Sequence, residues 1–323
     1  MPSEERTLVT GALGCVGAWT LKALLELGEE PVGYDLGGDD ARLRLVLDEA
    51  ERARVTLVEG DVTDAAALGH ALDEHGITRV VHLAALQVPF CRADPIRGAH
   101  VNVYGTVVVF EAVKARRSRI PGLAYASSTA VYNAADRSPA PETGGTEPST
   151  LYGVYKLANE GTARVFWHDE DVPSIGIRPY VVYGPGRDQG LTSGPSLAMA
   201  AAARSEGYRI AYGGTAQYDY APDVGRAFAL AARATTEGAE VANFPGEPST
   251  MQQVVEAIAA AAPEAAGKIT WEEGQLPFPE SLQGVLLERL VGPLPRTPLA
   301  EGARRTIEYF RERTGPVASP ATP

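Results

Sequence analysis

The chain has 323 residues, 45% of them hydrophobic and 22% charged, enough to bury the core of one large domain or two coupled ones. Its net charge of −12 argues against a general nucleic-acid binder, which needs a basic face, but not against small anionic ligands held by local groups. No apolar run approaches the roughly 20 residues that span a bilayer, the opening residues lack the apolar stretch of a signal peptide, and Cys15 and Cys91 are too few for a disulfide framework and lack metal-ligand spacing. The expectation is therefore a cytoplasmic protein with two buried thiols, no metal and no membrane partner.

Residues 6–10 are a short apolar run suited to a buried parallel strand. They lead straight into Gly11, Gly14 and Gly17, and the spacing after them predicts a helix over 18–27 that stops at Gly28. Strand, glycine turn and helix in this order form a cradle for a dinucleotide pyrophosphate. The turn binds through Leu13, Cys15 and Val16 as well as its glycines, at a helix N-terminus that offers free N–H groups. A second strand over 31–35 ends at Asp35, 18 residues after Gly17, where a carboxylate meets the adenosine ribose hydroxyls. That charge repels a 2′-phosphate, so NAD is expected over NADP, with Arg42 and Arg44 as cations that NADP could recruit. The other reading of Asp35 is a helix cap or turn residue.

Residues 41–54 read as one charged amphipathic helix. A third strand over 55–60 runs into Asp61 and Val62, a helix follows over 65–75, and a fourth strand over 79–85 ends in the small residues Ala84 and Ala85. Four alternations of strand and helix predict an α/β doubly wound parallel sheet of the Rossmann kind. Residues 95–117 are helical, and a strand over 123–128 ends in Ser127, Ser128 and Thr129. After a loop over 139–148, a helix to about residue 168 carries Tyr152 and Lys156, four apart and on one face. A lysine ammonium beside a phenol lowers its pKa, and such a phenol can exchange a proton with an alcohol. Alone, the pair could equally be two residues on a wet face. His168 reads as a surface or cap residue.

A strand over 175–183 is broken by Gly184 to Arg187, after which the regular alternation weakens and a smaller α/β substrate lobe is expected. Helices are predicted over 196–204, 223–235, 250–261 and 299–313, a short strand over 209–212, and a return to the main sheet at 241–244. Residues 263–298, rich in proline, read as an irregular wrap, and the end from about 315 as a disordered tail. The expected division is a dinucleotide-binding domain over 1–181, rejoined by about 219–243, and a substrate lobe over 182–323.

The ordered set Thr10-Gly-x-x-Gly-x-x-Gly17, Asp35, Asp61-Val62, His82-Leu-Ala-Ala85, Asn102-Val-x-Gly-Thr106, Ser128, Tyr152-x-x-x-Lys156 and Arg178-Pro-x-x-Val-Tyr-Gly-Pro185 resembles the NAD-dependent epimerase/dehydratase group of extended short-chain dehydrogenases/reductases. The resemblance spans about residues 6–313. It implies NAD as cofactor, Tyr152 as acid/base, Lys156 lowering its pKa and binding the nicotinamide ribose, and Ser128 holding the reacting oxygen. It also implies that Asp61 and Val62 contact adenine, that Leu83, Ala84 and Ala85 line the dinucleotide, and that Tyr180 lies near the nicotinamide. Asn102 is implied to be structural, at a helix bend.

Departures from the family pattern narrow the choice. Sugar dehydratases of the group carry Asp-Glu after the serine, whereas this chain has Thr129-Ala130, so dehydration is not expected. Epimerases acting on nucleotide sugars carry an asparagine where this chain has Val181 and an arginine where it has Ala216, which puts a nucleoside-diphosphate substrate in doubt. Gln87, Thr129 and Tyr218, with Ser128 and Tyr152, are the expected contacts to a carbohydrate. Arg187 reads either as an anion clamp or as part of a surface loop closed through Asp188. The expected function is an NAD-dependent sugar epimerase acting through a transient ketone, with a dehydrogenase of a free sugar or sugar acid as the alternative. Helices near 95–117 and 151–168 resemble the family's two-fold contact, so a homodimer is expected.

Overall fold

A computed structural model describes residues 5–143 and 147–314. The tail expected from 315 lies outside these. β1 (Thr7–Thr10) leads through the glycine turn into α1 (Cys15–Glu26), and β2 (Val32–Asp35) follows. The stretch expected as one helix over 41–54 is two, α2 (Ala41–Val46) and α3 (Glu49–Arg52). Leu47 is extended there, and Asp48 opens α3 by accepting from the Glu51 backbone while the Glu51 side chain accepts from the Asp48 backbone. This capping box ends one helix and starts another in place of an unbroken one.

Then come β3 (Thr56–Glu59), α4 (Ala65–Glu74) and β4 (Arg79–His82), followed by α5 (Val88–Ala93) and α6 (Pro95–Ala99). Residues His100–Tyr104 form a wide helical turn before α7 (Gly105–Lys114). Asn102 lies in that turn, and its amide accepts from the Leu86 backbone at 2.7 Å and donates to the Leu86 carbonyl at 2.9 Å. The widening frees a side chain to hold the loop after β4, as such turns commonly do at functional sites. β5 (Leu123–Ala126), α8 (Leu151–Glu170) and β6 (Ser174–Arg178) complete this run.

β7 (Val181–Tyr183), α9 (Gly194–Ala203), β8 (Tyr208–Ile210), β9 (Thr215–Tyr220) and α10 (Ala221–Arg233) precede β10 (Ala239–Asn243). Then follow β11 (Pro248–Thr250), α11 (Met251–Ala261), β12 (Ile269–Trp271), α12 (Leu286–Val291) and α13 (Leu299–Thr314). Residues 263–298 are thus less irregular than expected. Ile269 is buried and β12 pairs parallel with β8, a contact too short to leave a periodic pattern in the sequence.

Seven strands form one parallel sheet in the order β10-β6-β5-β4-β1-β2-β3, with helices on both faces. This is the expected doubly wound Rossmann architecture. The order reverses beside β1, which pairs with both β2 and β4. Such a switch point opens a crevice at the carboxyl ends of the strands, where ligands bind in open α/β sheets. β7, β9 and β11 form a separate three-stranded sheet above that edge, backed by an apolar cluster of α9, α11 and α13 residues. Among the described residues, no helix is long and apolar enough to cross a membrane.

Candidate active site

A cleft of about 540 Å³ opens at the switch point. Every residue expected to bind the cofactor lines it, from Gly11 through Asp35, Asp61 and Ala85 to Lys156 and Tyr180. So do Gln87, Ser128, Thr129, Tyr152 and Arg187. Tyr218 does not. It is buried in the apolar cluster beside Tyr180 and Tyr212. Gln217, its neighbour on β9, is fully buried and donates to Asp219 and to the Phe244 carbonyl. Burial of β9 within the second cluster explains this, because a strand inside a core spends its side chains on packing and internal hydrogen bonds.

Tyr152 and Lys156 reach the cleft from the first turns of α8. Thr150 caps that helix by accepting from the Gly153 backbone at 3.0 Å. Gly153 is a requirement of packing. A Cβ there would stand 2.0 Å from the Ala130 carbonyl oxygen, so only glycine lets α8 approach the segment after Ser128. Across that contact the Ser128 side chain lies by the Tyr152 phenol and favours its deprotonated form. Ser128 also accepts from the Ala130 backbone at 3.1 Å, and this cap opens a 3-10 turn over Thr129–Val131.

The electrostatics differ from the expectation in one respect. Burial pushes the Tyr152 phenol up to about 12, against the lowering effects of the Ser128 hydrogen bond and the Arg187 charge. The Lys156 ammonium lies 5.6 Å from the phenol ring centroid and donates to the Ala126 carbonyl at 2.6 Å. Burial brings its own pKa down to about 8. Desolvation thus outweighs the local charge at both groups. His82, also buried, is lowered to about 3 by burial and by Lys156, and its ring nitrogens meet Thr10 and Thr106. It is a neutral core histidine that ties β1 and β4 to α7.

At the other end of the cleft, the Asp35 carboxylate accepts from the Leu13 and Leu36 backbones at 2.9 and 2.8 Å, fixing the glycine turn to the end of β2. The loop after β7 crosses above. Trp19 on α1 donates to the Pro185 carbonyl at 2.9 Å, and Arg42 pairs with Asp188 at 2.8 Å. Asp188 is therefore engaged across the cleft and not with Arg187, which donates to Thr192 at 3.2 Å. Beneath the site, Glu160 accepts from Ser127 at 2.5 Å and from two Arg178 nitrogens at 2.7 and 2.6 Å. Glu160 is four residues beyond Lys156 on the same helix face, the one local signal that could have found it. The Trp19 and Arg42 contacts link residues 166 and 146 apart and leave no local trace.

Both cysteines are buried, and burial raises their pKa values, that of Cys15 to about 12.

Comparison with known proteins places the chain. The family model described as NAD dependent epimerase/dehydratase family matches residues 7–244. A UDP-glucose 4-epimerase of Mycolicibacterium smegmatis is 30% identical over 319 residues, covering 96% of this chain and 99% of that protein. UDP-glucuronate 4-epimerase 3 of Arabidopsis thaliana is 35% identical over 183 residues, covering 55% of this chain and 42% of that protein. The chain thus spans less than half the length of the plant relative. A solved UDP-glucose 4-epimerase of Thermus thermophilus, in complex with NAD, superposes with a TM-score of 0.80 at 27% identity, covering 95% of this chain and 99% of that one. This chain belongs to the NAD dependent epimerase/dehydratase family, with NAD as its cofactor.

Proposed function

We propose that the protein is a sugar epimerase of the extended short-chain dehydrogenase/reductase type, acting through a transient ketone. The observation that carries this reading is the meeting of Ser128, Tyr152 and Lys156 at one end of a cleft whose other end is the glycine turn. The near full-length likeness to a 4-epimerase supports it.

The residues present fit a dinucleotide. Gly11 has φ +70, and a Cβ there would come within 2.7 Å of the Ala84 backbone nitrogen, so the turn lies flush against the end of β4. Among the described residues no side chain caps the first turn of α1, which leaves its amides for a pyrophosphate. Asp35, Asp61 and Val62 would hold the adenosine half, and Leu83, Ala84, Ala85 and Tyr180 the nicotinamide half. When bound, NAD supplies an acceptor that takes a hydride and can give it back.

Tyr152, as the phenolate that the Lys156 cation and the positive charge of a bound oxidised nicotinamide would favour, takes the proton from the sugar hydroxyl as the carbon beneath it loses hydride. Ser128 donates a hydrogen bond to the same oxygen while its charge changes. Lys156 keeps a cation beneath the phenol and offers hydrogen bonds to the nicotinamide ribose. Once the ketone has turned its other face, Tyr152 returns the proton as hydride is restored from the opposite side. Proton and hydride both come back, so there is no net oxidation. Thr129 and Ala130 offer no carboxylate beside Ser128 for eliminating water.

The substrate is a small carbohydrate, with Ser128, Thr129, Gln87 and Arg187 as its contacts. Residues 1–181 with about 219–243 form the cofactor domain and the remainder the substrate lobe. The protein works in the cytoplasm as a homodimer. Leu151, Val154 and Val165 support the dimer, being exposed and spaced to share one face of α8.

The test is turnover of UDP-glucose, UDP-glucuronate and free glucuronate with the NAD-loaded protein. Epimer formation by NMR without net NADH is expected. Stoichiometric NADH would overturn the epimerase in favour of a dehydrogenase.

A further inference from the structure

Among the described residues, three buried side-chain atoms lining the cleft have no hydrogen-bond partner: Gln87 Oε1, Arg187 Nε and Thr129 Oγ1. Buried polar atoms are nearly always satisfied, so a group of orphans in one cleft marks the position of a ligand's polar groups. Two of them converge. A Cβ built on Gly190 would stand 2.1 Å from Gln87 Oε1 and 3.1 Å from an Arg187 terminal nitrogen, so both side chains end at the same glycine. Among the described residues Arg187 has no carboxylate within ion-pair distance, because its neighbour Asp188 is held by Arg42. Arg187 nevertheless acts electrostatically on the Tyr152 phenol, which places its charge within reach of the reacting centre.

The supply of cations limits what can sit there. Among the described residues four line the cleft: Arg42, Arg97, Lys156 and Arg187. Arg42 is paired with Asp188, Lys156 lies at the phenol, and Arg97 is exposed at the rim on α6. Among the described residues from β7 onward, the part of the chain that covers the substrate end contributes Arg187 as its one cation. A nucleoside diphosphate carries two phosphates and is gripped by paired cationic forks. A single guanidinium matches a single carboxylate.

We propose that the substrate is a free sugar acid, a polyhydroxy carboxylate without a nucleotide, whose carboxylate is held by Arg187 and one of whose hydroxyls donates to Gln87 Oε1. This rests on the epimerase reading only in using the same cleft. Thr129 Oγ1, next to Ser128, takes a second hydroxyl.

The test is calorimetric binding to the NAD-loaded protein, with glucuronate, galacturonate, glucose, UDP-glucose and UDP-glucuronate as probes. A free hexuronate is expected to bind roughly 10- to 100-fold more tightly than glucose, the range of a charge-assisted hydrogen-bonded pair. Arg187→Gln should erase that preference; because the Arg187 charge also reaches Cys15 in the glycine turn, NAD affinity of the variant is measured separately and the sugars are compared at saturating NAD. The proposal is overturned if neither hexuronate binds more tightly than glucose, if a UDP-sugar binds about tenfold or more above its free sugar, or if Arg187→Gln leaves hexuronate affinity unchanged. If the variant does not fold, the wild-type comparison of acid, neutral sugar and UDP-sugar decides. Hexuronate binding accompanied by NADH accumulation would keep this inference and remove the epimerase. Epimerisation of UDP-sugars with no affinity for free acids would do the reverse.

Discussion

Tyr152 carries the proton in this account, and burial sets its working conditions. A phenol at about 12 is protonated in the empty cleft at neutral pH, so it must lose that proton before it can accept the sugar's, and the cations gathered around it, Lys156 and a bound oxidised nicotinamide, are what would favour the phenolate. Tyr152→Phe removes the proton carrier while keeping the ring. We expect turnover to fall roughly 100- to 10,000-fold with NAD binding intact, measured by epimer formation and by cofactor titration. Retention of most activity would remove Tyr152 from the mechanism. Asp219 behaves oppositely to an ordinary surface carboxylate. It accepts from the Tyr180 backbone at 2.6 Å and from Gln217 at 2.9 Å, yet burial, aided by the charge of Asp223, lifts its pKa to about 7. The folded state then keeps a proton that the unfolded chain releases from about pH 4 upward. Stability contributed by this group therefore declines as pH rises toward 7 and is fully lost above it. Asp219→Asn should gain stability relative to wild type between about pH 5 and pH 8 in urea titrations. A difference that stays constant across that window would contradict the assignment.

At the level of elements, the contact of α8 with the segment after β5 sets the distance from Tyr152 to Ser128. Gly153→Ala introduces a Cβ 2.0 Å from the Ala130 carbonyl, and the helix must move. We expect a loss of about 1–3 kcal/mol in stability and a larger proportional loss in turnover, because the reacting pair separates. Equal activity in the folded variant would show that the spacing is not critical. Much of this arrangement is legible in the sequence. The glycine turn, the helix with Tyr152 and Lys156, and the strand ending in Ser128 are each local patterns. The interactions that finish the site are not local. Trp19 holds Pro185, and Arg42 holds Asp188, across long stretches of the chain. The burial that lifts Tyr152 comes from packing of distant segments, which is why reasoning from Lys156 alone points in the wrong direction. Tyr218 escapes a sequence reading for the same reason, since the second apolar cluster forms only when β7, β9 and α11 meet. The split between α2 and α3 does have a local signal, Asp48 three residues before Glu51, and the amphipathic pattern conceals it.

For the whole molecule, two consequences can be measured. The exposed face of α8 should be covered by a second copy, so light scattering should give twice the chain mass, and Val165→Glu should shift the population toward monomer. A wild-type monomer would contradict that assignment. In an epimerase of this kind one cleft takes a hydride from the sugar, holds it and returns it to the other face. The most direct measurement is epimerisation in deuterated water with substrate bearing ordinary hydrogen at the reacting carbon, followed by NMR. Return of the same hydride within the cleft gives an epimer that contains no solvent deuterium at that carbon, with no accumulation of NADH. Solvent deuterium at the epimerised carbon, or NADH rising with product, would contradict it.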